Sequence, residues 1–186
     1  MNKNTKILLI LIIIILIPIV YFTATTMSNQ MEQDNFYETI KNVSNNENNS
    51  DKSISQLIQT NNNNDNDTIN VYTKTSKTLN ESIKTLTDLE ESLHNETLKE
   101  YVNLEITRME DEEKYWEAYI EYIQTRSNTK EVNDKGIIIT HSKQNAADFL
   151  NKHPDIKTRF EKMGIDEDFM IVENAEVDKK IGNSKK

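Results

Sequence analysis

The sequence predicts a mainly α protein. It should have an N-terminal single transmembrane helix, an Asn-rich linker, an antiparallel αα-hairpin of coiled-coil type and a small C-terminal α/β segment. Three observations predict it. An uncharged, apolar run fills residues 7–22. Apolar residues then recur in alternating steps of three and four over 69–93 and again over 102–123. Gly and Pro number only three and two in 186 residues, which favours long helices over turn-rich β structure. The segments are 1–28, a membrane anchor; 29–67, a stalk and low-complexity linker; 68–126, the hairpin; and 127–186, the small α/β segment with a flexible tail.

The run reads KILLILIIIILIPIVYF from Lys6 to Phe22. With the uncharged Thr and Ala residues after it, residues 7–27 reach the roughly 20 residues that cross a hydrocarbon core of about 30 Å. A buried core helix keeps a polar face, and this run has none. Pro18 is compatible with a membrane helix. Lys3 and Lys6 precede the run, and the next basic residue is Lys41. Basic flanks stay in the cytoplasm, so the N-terminus is expected inside and the C-terminal part outside the cell membrane. A cleaved signal peptide shares this pattern, but it needs small residues before the cut. Phe22-Thr23-Ala24, Ala24-Thr25-Thr26 and Thr26-Met27-Ser28 are poor matches. The sequence therefore favours an uncleaved anchor in contact with membrane lipid, with a secreted protein as the alternative.

Past the anchor, Phe36, Ile40 and Val43 form a short amphipathic stripe, an outward continuation of the helix as a stalk. Residues 44–67 (SNNENNSDKSISQLIQTNNNNDND) are polar and repetitive, and read as a flexible linker. The first seam runs through Ile69, Tyr72, Ser76, Leu79, Ile83, Leu86, Glu90 and Leu93. The second runs through Val102, Ile106, Met109, Glu113, Trp116, Ile120 and Ile123. Nine residues separate Leu93 from Val102, about 900° of rotation, so on one straight helix the seams would face opposite sides. A turn at His94, Asn95, Glu96 and Thr97, with Asn95 as N-cap, removes that conflict and lays one seam on the other. Further on, Gly136, Ile137, Ile138, Ile139 and Thr140 read as a strand, as do Phe169, Met170, Ile171 and Val172. Ser142 reads as the cap of a helix through Leu150. Pro154 opens another that Gly164 closes, with Ile156, Phe160 and Met163 on its apolar face.

Charge narrows the function. The net charge of −9 is concentrated in 79–126, where thirteen acidic residues face five basic ones. No segment after the anchor is basic, which argues against nucleic-acid binding through phosphate neutralisation. Cysteine is absent, so disulfides and thiolate metal sites are excluded. Glu91 and His94 match one half of a ferritin-like ligand pattern that needs two copies. The run Glu110, Asp111, Glu112, Glu113 lacks the spacing of a calcium loop and reads as a solvated face. His141, Ser142 and His153 form no recognisable catalytic set. No phosphate-cradling or zinc-protease motif is present. No catalytic residue, cofactor or metal ligand is therefore expected.

Two groups of residues stand out. Tyr115, Trp116, Tyr119 and Tyr122 crowd the second helix, either as core and rim or as a partner surface, where Tyr and Trp are enriched. Asn42, Asn48, Asn66, Asn80 and Asn95 head Asn-x-Ser/Thr acceptors for glycosylation, all on the side expected outside. The expectation is a single-pass, membrane-anchored extracytoplasmic scaffold or accessory protein. It would act through an unknown protein partner or self-association, without catalysis of its own. The alternative is an extracytoplasmic ligand-binding or sensor module.

Overall fold

The computed structural model describes the backbone of residues 3–59 and 64–165, and side chains within them from Thr25 onward. The described chain is 93% helical and has no strand. Five helices follow one another: α1 (Lys3–Gln59), α2 (Asp65–Ser92), α3 (Glu96–Thr125), α4 (Thr129–Lys152) and α5 (Pro154–Met163). They fall into two compact units, Met1–Glu38 and Thr39–Lys186.

In the first unit, Met27 and Met31 lie one turn apart and are exposed. Phe36 and Tyr37 meet edge to face at 4.9 Å. Among the described residues no helix is long and apolar enough to cross a membrane. The expected span, 7–27, lies outside the residues described to the side chain, except for its last three.

The second unit is a helical bundle with α3 close to both α2 and α4. The hairpin of α2 and α3 forms within a few residues of its expected bounds. As the position on α2 rises, its partner on α3 falls. Arg126 bonds Asp65, Tyr72 stacks on Trp116 at 4.6 Å, Asn80 bonds Glu113 and Glu90 meets Lys99. This is the signature of antiparallel neighbours. Asn95 caps α3 as expected, its Oδ1 accepting from the N–H groups of Thr97 and Leu98 at 3.0 and 3.2 Å.

The seams are correct only in alternate positions. Tyr72, Leu79, Leu86 and Leu93 are buried, but between them Thr75, Ser82 and Leu89 are buried rather than Ser76, Ile83 and Glu90. On α3, Val102, Met109, Trp116 and Ile123 are buried as expected. A second buried stripe runs beside them through Leu98, Tyr101, Glu105, Arg108 and Tyr115. A helix with neighbours on several sides buries a wider arc than one coiled-coil seam.

Two expectations are corrected. Residues 44–59 are not a linker, because α1 continues through them to Gln59, and Ser44, Glu47 and Ile54 are buried. Their polarity hid a face that is closed by an ion pair of Glu47 as well as by the apolar Ile54. Residues 61–63 of the Asn run lie outside the described residues. The strand at 136–140 is helical and belongs to α4. Only Ile139 of its three isoleucines is buried, while Ile137 and Ile138 are 58% and 43% exposed. Val132, Ile139, Ser142, Ala146 and Phe149 instead make one stripe at helical spacing, and tertiary packing overrides the β preference of the isoleucine run. Ser142 is accordingly a buried mid-helix residue, not a cap. The expected strand at 169–172 and the tail lie outside the described residues.

Helix α5 matches its expected bounds. Pro154 opens it and Gly164 closes it at φ 71°. Ile165 then donates to the Phe160 carbonyl at 3.0 Å, which satisfies the helix end.

Gly136 sits inside α4 without a positive φ. A Cβ there would meet Tyr115 Cε2 at 3.6 Å, an ordinary van der Waals distance. Gly136→Ala is expected to stabilise the protein by about 0.5–1 kcal/mol through reduced backbone entropy in the unfolded chain. A urea midpoint equal to or below that of the parent would contradict this.

Candidate functional site

The most unusual chemistry in the chain is a buried ionic cluster on the second stripe of α3. Glu105, Arg108 and Glu112 lie at i, i+3 and i+7 on that helix and share one face. Glu47 reaches them from α1. Arg108 is 2% exposed. Its Nη2 donates to both carboxylate oxygens of Glu47 at 2.7 and 2.9 Å, its Nε to Glu105 at 2.9 Å and its Nη1 to Glu112 at 3.1 Å. Glu112 also accepts from the Trp116 indole N–H at 3.3 Å.

One guanidinium therefore faces three carboxylates, and Asp51 lies one turn beyond Glu47. The charge balance shows in the proton affinities. Burial, with the repulsion of Glu112 and Glu105, pushes Glu47 up to about 7 despite the pull of Arg108. Burial and Glu112 push Asp51 up to about 6, against the attraction of Lys143 and Arg108. Burial alone would weaken the charged form of Arg108. Glu105, Glu47 and Glu112 more than offset it and keep the guanidinium firmly protonated. Burial and Glu105 likewise hold the Tyr101 phenol well above its usual range.

The sequence-picked residues distribute as follows. Tyr115 and Trp116 are buried, and Tyr119 and Tyr122 are half-buried. Tyr72 of α2 joins them, stacked on Trp116 and edge-on to Tyr119 at 5.2 Å. This cluster is mainly interior packing, with Tyr119 and Tyr122 at its rim. Four of the sequon asparagines, Asn42, Asn66, Asn80 and Asn95, are exposed; Asn48 is half-buried. Glu91 and His94 do not share a helix face, because α2 ends at Ser92 and Leu93 is extended. Among the described residues no group of three or more His, Asp or Glu is placed to hold a metal ion.

The acidic run is only in part the solvated face that its composition suggests: Glu110 is exposed, but the other three are half-buried and bonded. Asp111 accepts from the Ser142 hydroxyl of α4, Glu112 holds Arg108 and Trp116, and Glu113 accepts from Asn80 of α2. His141 is exposed, while His153 stacks on Phe149 at 4.2 Å. A shallow, open groove of about 480 Å³ follows α3 past Lys99, Glu100, Asn103 and Thr107.

Hydropathy periodicity could not find the ionic cluster, since it looks for apolar residues. One signal was available. Arginine occurs three times in a lysine-rich chain, and Arg108 has Glu at i−3 and i+4. Arginine is the usual choice for a buried, multiply bonded cation. Comparison with protein-family models, with curated proteins and with solved structures gave no match.

Proposed function

We propose that this chain is a single-pass, membrane-anchored extracytoplasmic helical protein that acts as a scaffold or accessory subunit through protein contacts, without catalysis of its own. The carrying observation is the continuity of α1. One helix from Lys3 to Gln59 includes the apolar run and also the residues Ile40, Val43, Glu47 and Ile54 that are buried in the second unit. Lys3 and Lys6 before the run, with no base until Lys41, support an inside N-terminus. The acidic α2–α3 body argues against nucleic acid or anionic lipid as the partner and so favours a protein contact.

Two measurements test this. Ser55 is exposed on α1, and Ser55→Cys should react with a membrane-impermeant thiol reagent on intact cells. Protection of that thiol until the cells are lysed would overturn the orientation. A photo-cross-linker at Tyr122, analysed after detergent extraction of membranes, should capture a defined protein or a second copy of this chain. Absence of any protein adduct in membranes would count against a contact role at that face.

A further inference from the structure

We infer that Glu47, Asp51, Glu105, Arg108 and Glu112 form a proton-operated latch, which holds residues 39–59 of α1 against α3 while it keeps its protons and loosens when it loses them. The geometry carries this. Residues 39–59 bury one stripe, Ile40, Val43, Ser44, Glu47 and Ile54. Three of these are apolar, with Leu57 and Ile58 half-buried beside the stripe, so the middle of the segment, between Val43 and Ile54, is secured by polar groups rather than by apolar contact. At the middle of the stripe stands the bidentate contact of Glu47 with Arg108, the one ion pair that joins α1 to α3 among the described residues.

The groups facing it are unbalanced in charge. Glu47 meets Arg108, Glu105 and Glu112 of α3, with the Tyr101 phenol nearby. Asp51 meets Glu112 and Arg108 of α3 and Lys143 of α4. Four ionised carboxylates around one guanidinium and one partly exposed lysine leave excess negative charge in a desolvated place, and removing α1 from α3 returns Glu47 and Asp51 to water. Protonation of Glu47 relieves that excess without breaking the contact, because a protonated carboxyl still accepts from Arg108. With Glu47 at about 7 and Asp51 at about 6, the change falls between mildly acidic and neutral conditions. An extracytoplasmic protein meets such conditions directly, so the inference gains physiological reach from the location proposed above, but its test does not depend on it.

The test is hydrogen–deuterium exchange of the full chain in detergent micelles at pH 5 and pH 8, corrected for intrinsic exchange rates. The protection of amides in 39–59 is expected to fall by about ten- to a hundredfold at the higher pH, from the linkage of one buried carboxyl, and to lie below that of 97–125 there. Glu47→Gln should remove most of the fall. If that variant fails to fold, Asp51→Asn should reduce the fall. Protection of 39–59 that is equal at both pH values overturns the latch. So does protection that matches 97–125 throughout, since the segment then opens only when the whole bundle does. A full pH response in the folded variants overturns it as well.

Discussion

Arg108→Leu should destabilise the bundle by about 3–5 kcal/mol at pH 7, because it leaves Glu47 and Glu105 buried, and Glu112 half-buried, without their cation. For a chain of this size that corresponds to a drop in melting temperature of about 10 °C or more. The loss should shrink at pH 5, where the carboxylates can take up protons in place of the guanidinium. Arg108→Lys should fall in between. It keeps a charge, but an ammonium cannot satisfy three carboxylates with the planar fork that reaches Glu47 and Glu105 together. Replacing Arg108 and Glu47 together by Met and Leu should cost less than Arg108→Leu alone, because one unpaired charge leaves with the cation. Urea unfolding followed by circular dichroism decides this, and a loss below 1 kcal/mol for Arg108→Leu would show that the cluster is solvated.

The stability of the parent protein should itself decline as pH rises from about 4.5 to 7. The sign follows from proton counts. Glu47 titrates near 7 in the folded chain against an ordinary 4.5, and Asp51 near 6 against 3.8. Between those values the folded state holds protons that the unfolded chain has released. The slope of unfolding free energy with pH is then negative. Their contribution is fully present below pH 4 and lost above pH 7. Glu47 accounts for about 2–4 kcal/mol of the decline, and Asp51, less deeply buried, for a smaller part. Urea midpoints at pH 5, 6, 7 and 8 measure it. Glu47→Gln should flatten the profile. A midpoint that climbs with pH would mean that Arg108 dominates and Glu47 is ionised throughout.

Much of the architecture was written in local patterns. Asn95 capping α3, Pro154 opening α5 and Gly164 closing it are decisions of single residues with their own backbone, and they needed no tertiary information. The hairpin followed from a phase argument, since two apolar seams nine residues out of step cannot serve one straight helix. Scarcity of Gly and Pro pointed to long helices, and the described chain is helical.

What the sequence could not determine was the role of each polar residue. Periodicity treats Glu47, Glu105 and Arg108 as surface, yet they are buried, because two helices, α1 and α3, bring opposite charges together and hydrogen-bond them. The same blindness made 44–59 look like a linker and Asp111 and Glu112 of α3 look solvated. The isoleucines at 137–139 misled in the other direction. Their β preference is worth less than the burial of Val132, Ile139, Ala146 and Phe149 on one helical face. Local propensity and capping act over a few residues and are legible in order along the chain. Burial of charge depends on partners 61 residues apart, as Glu47 and Arg108 are, and only the packed bundle decides it.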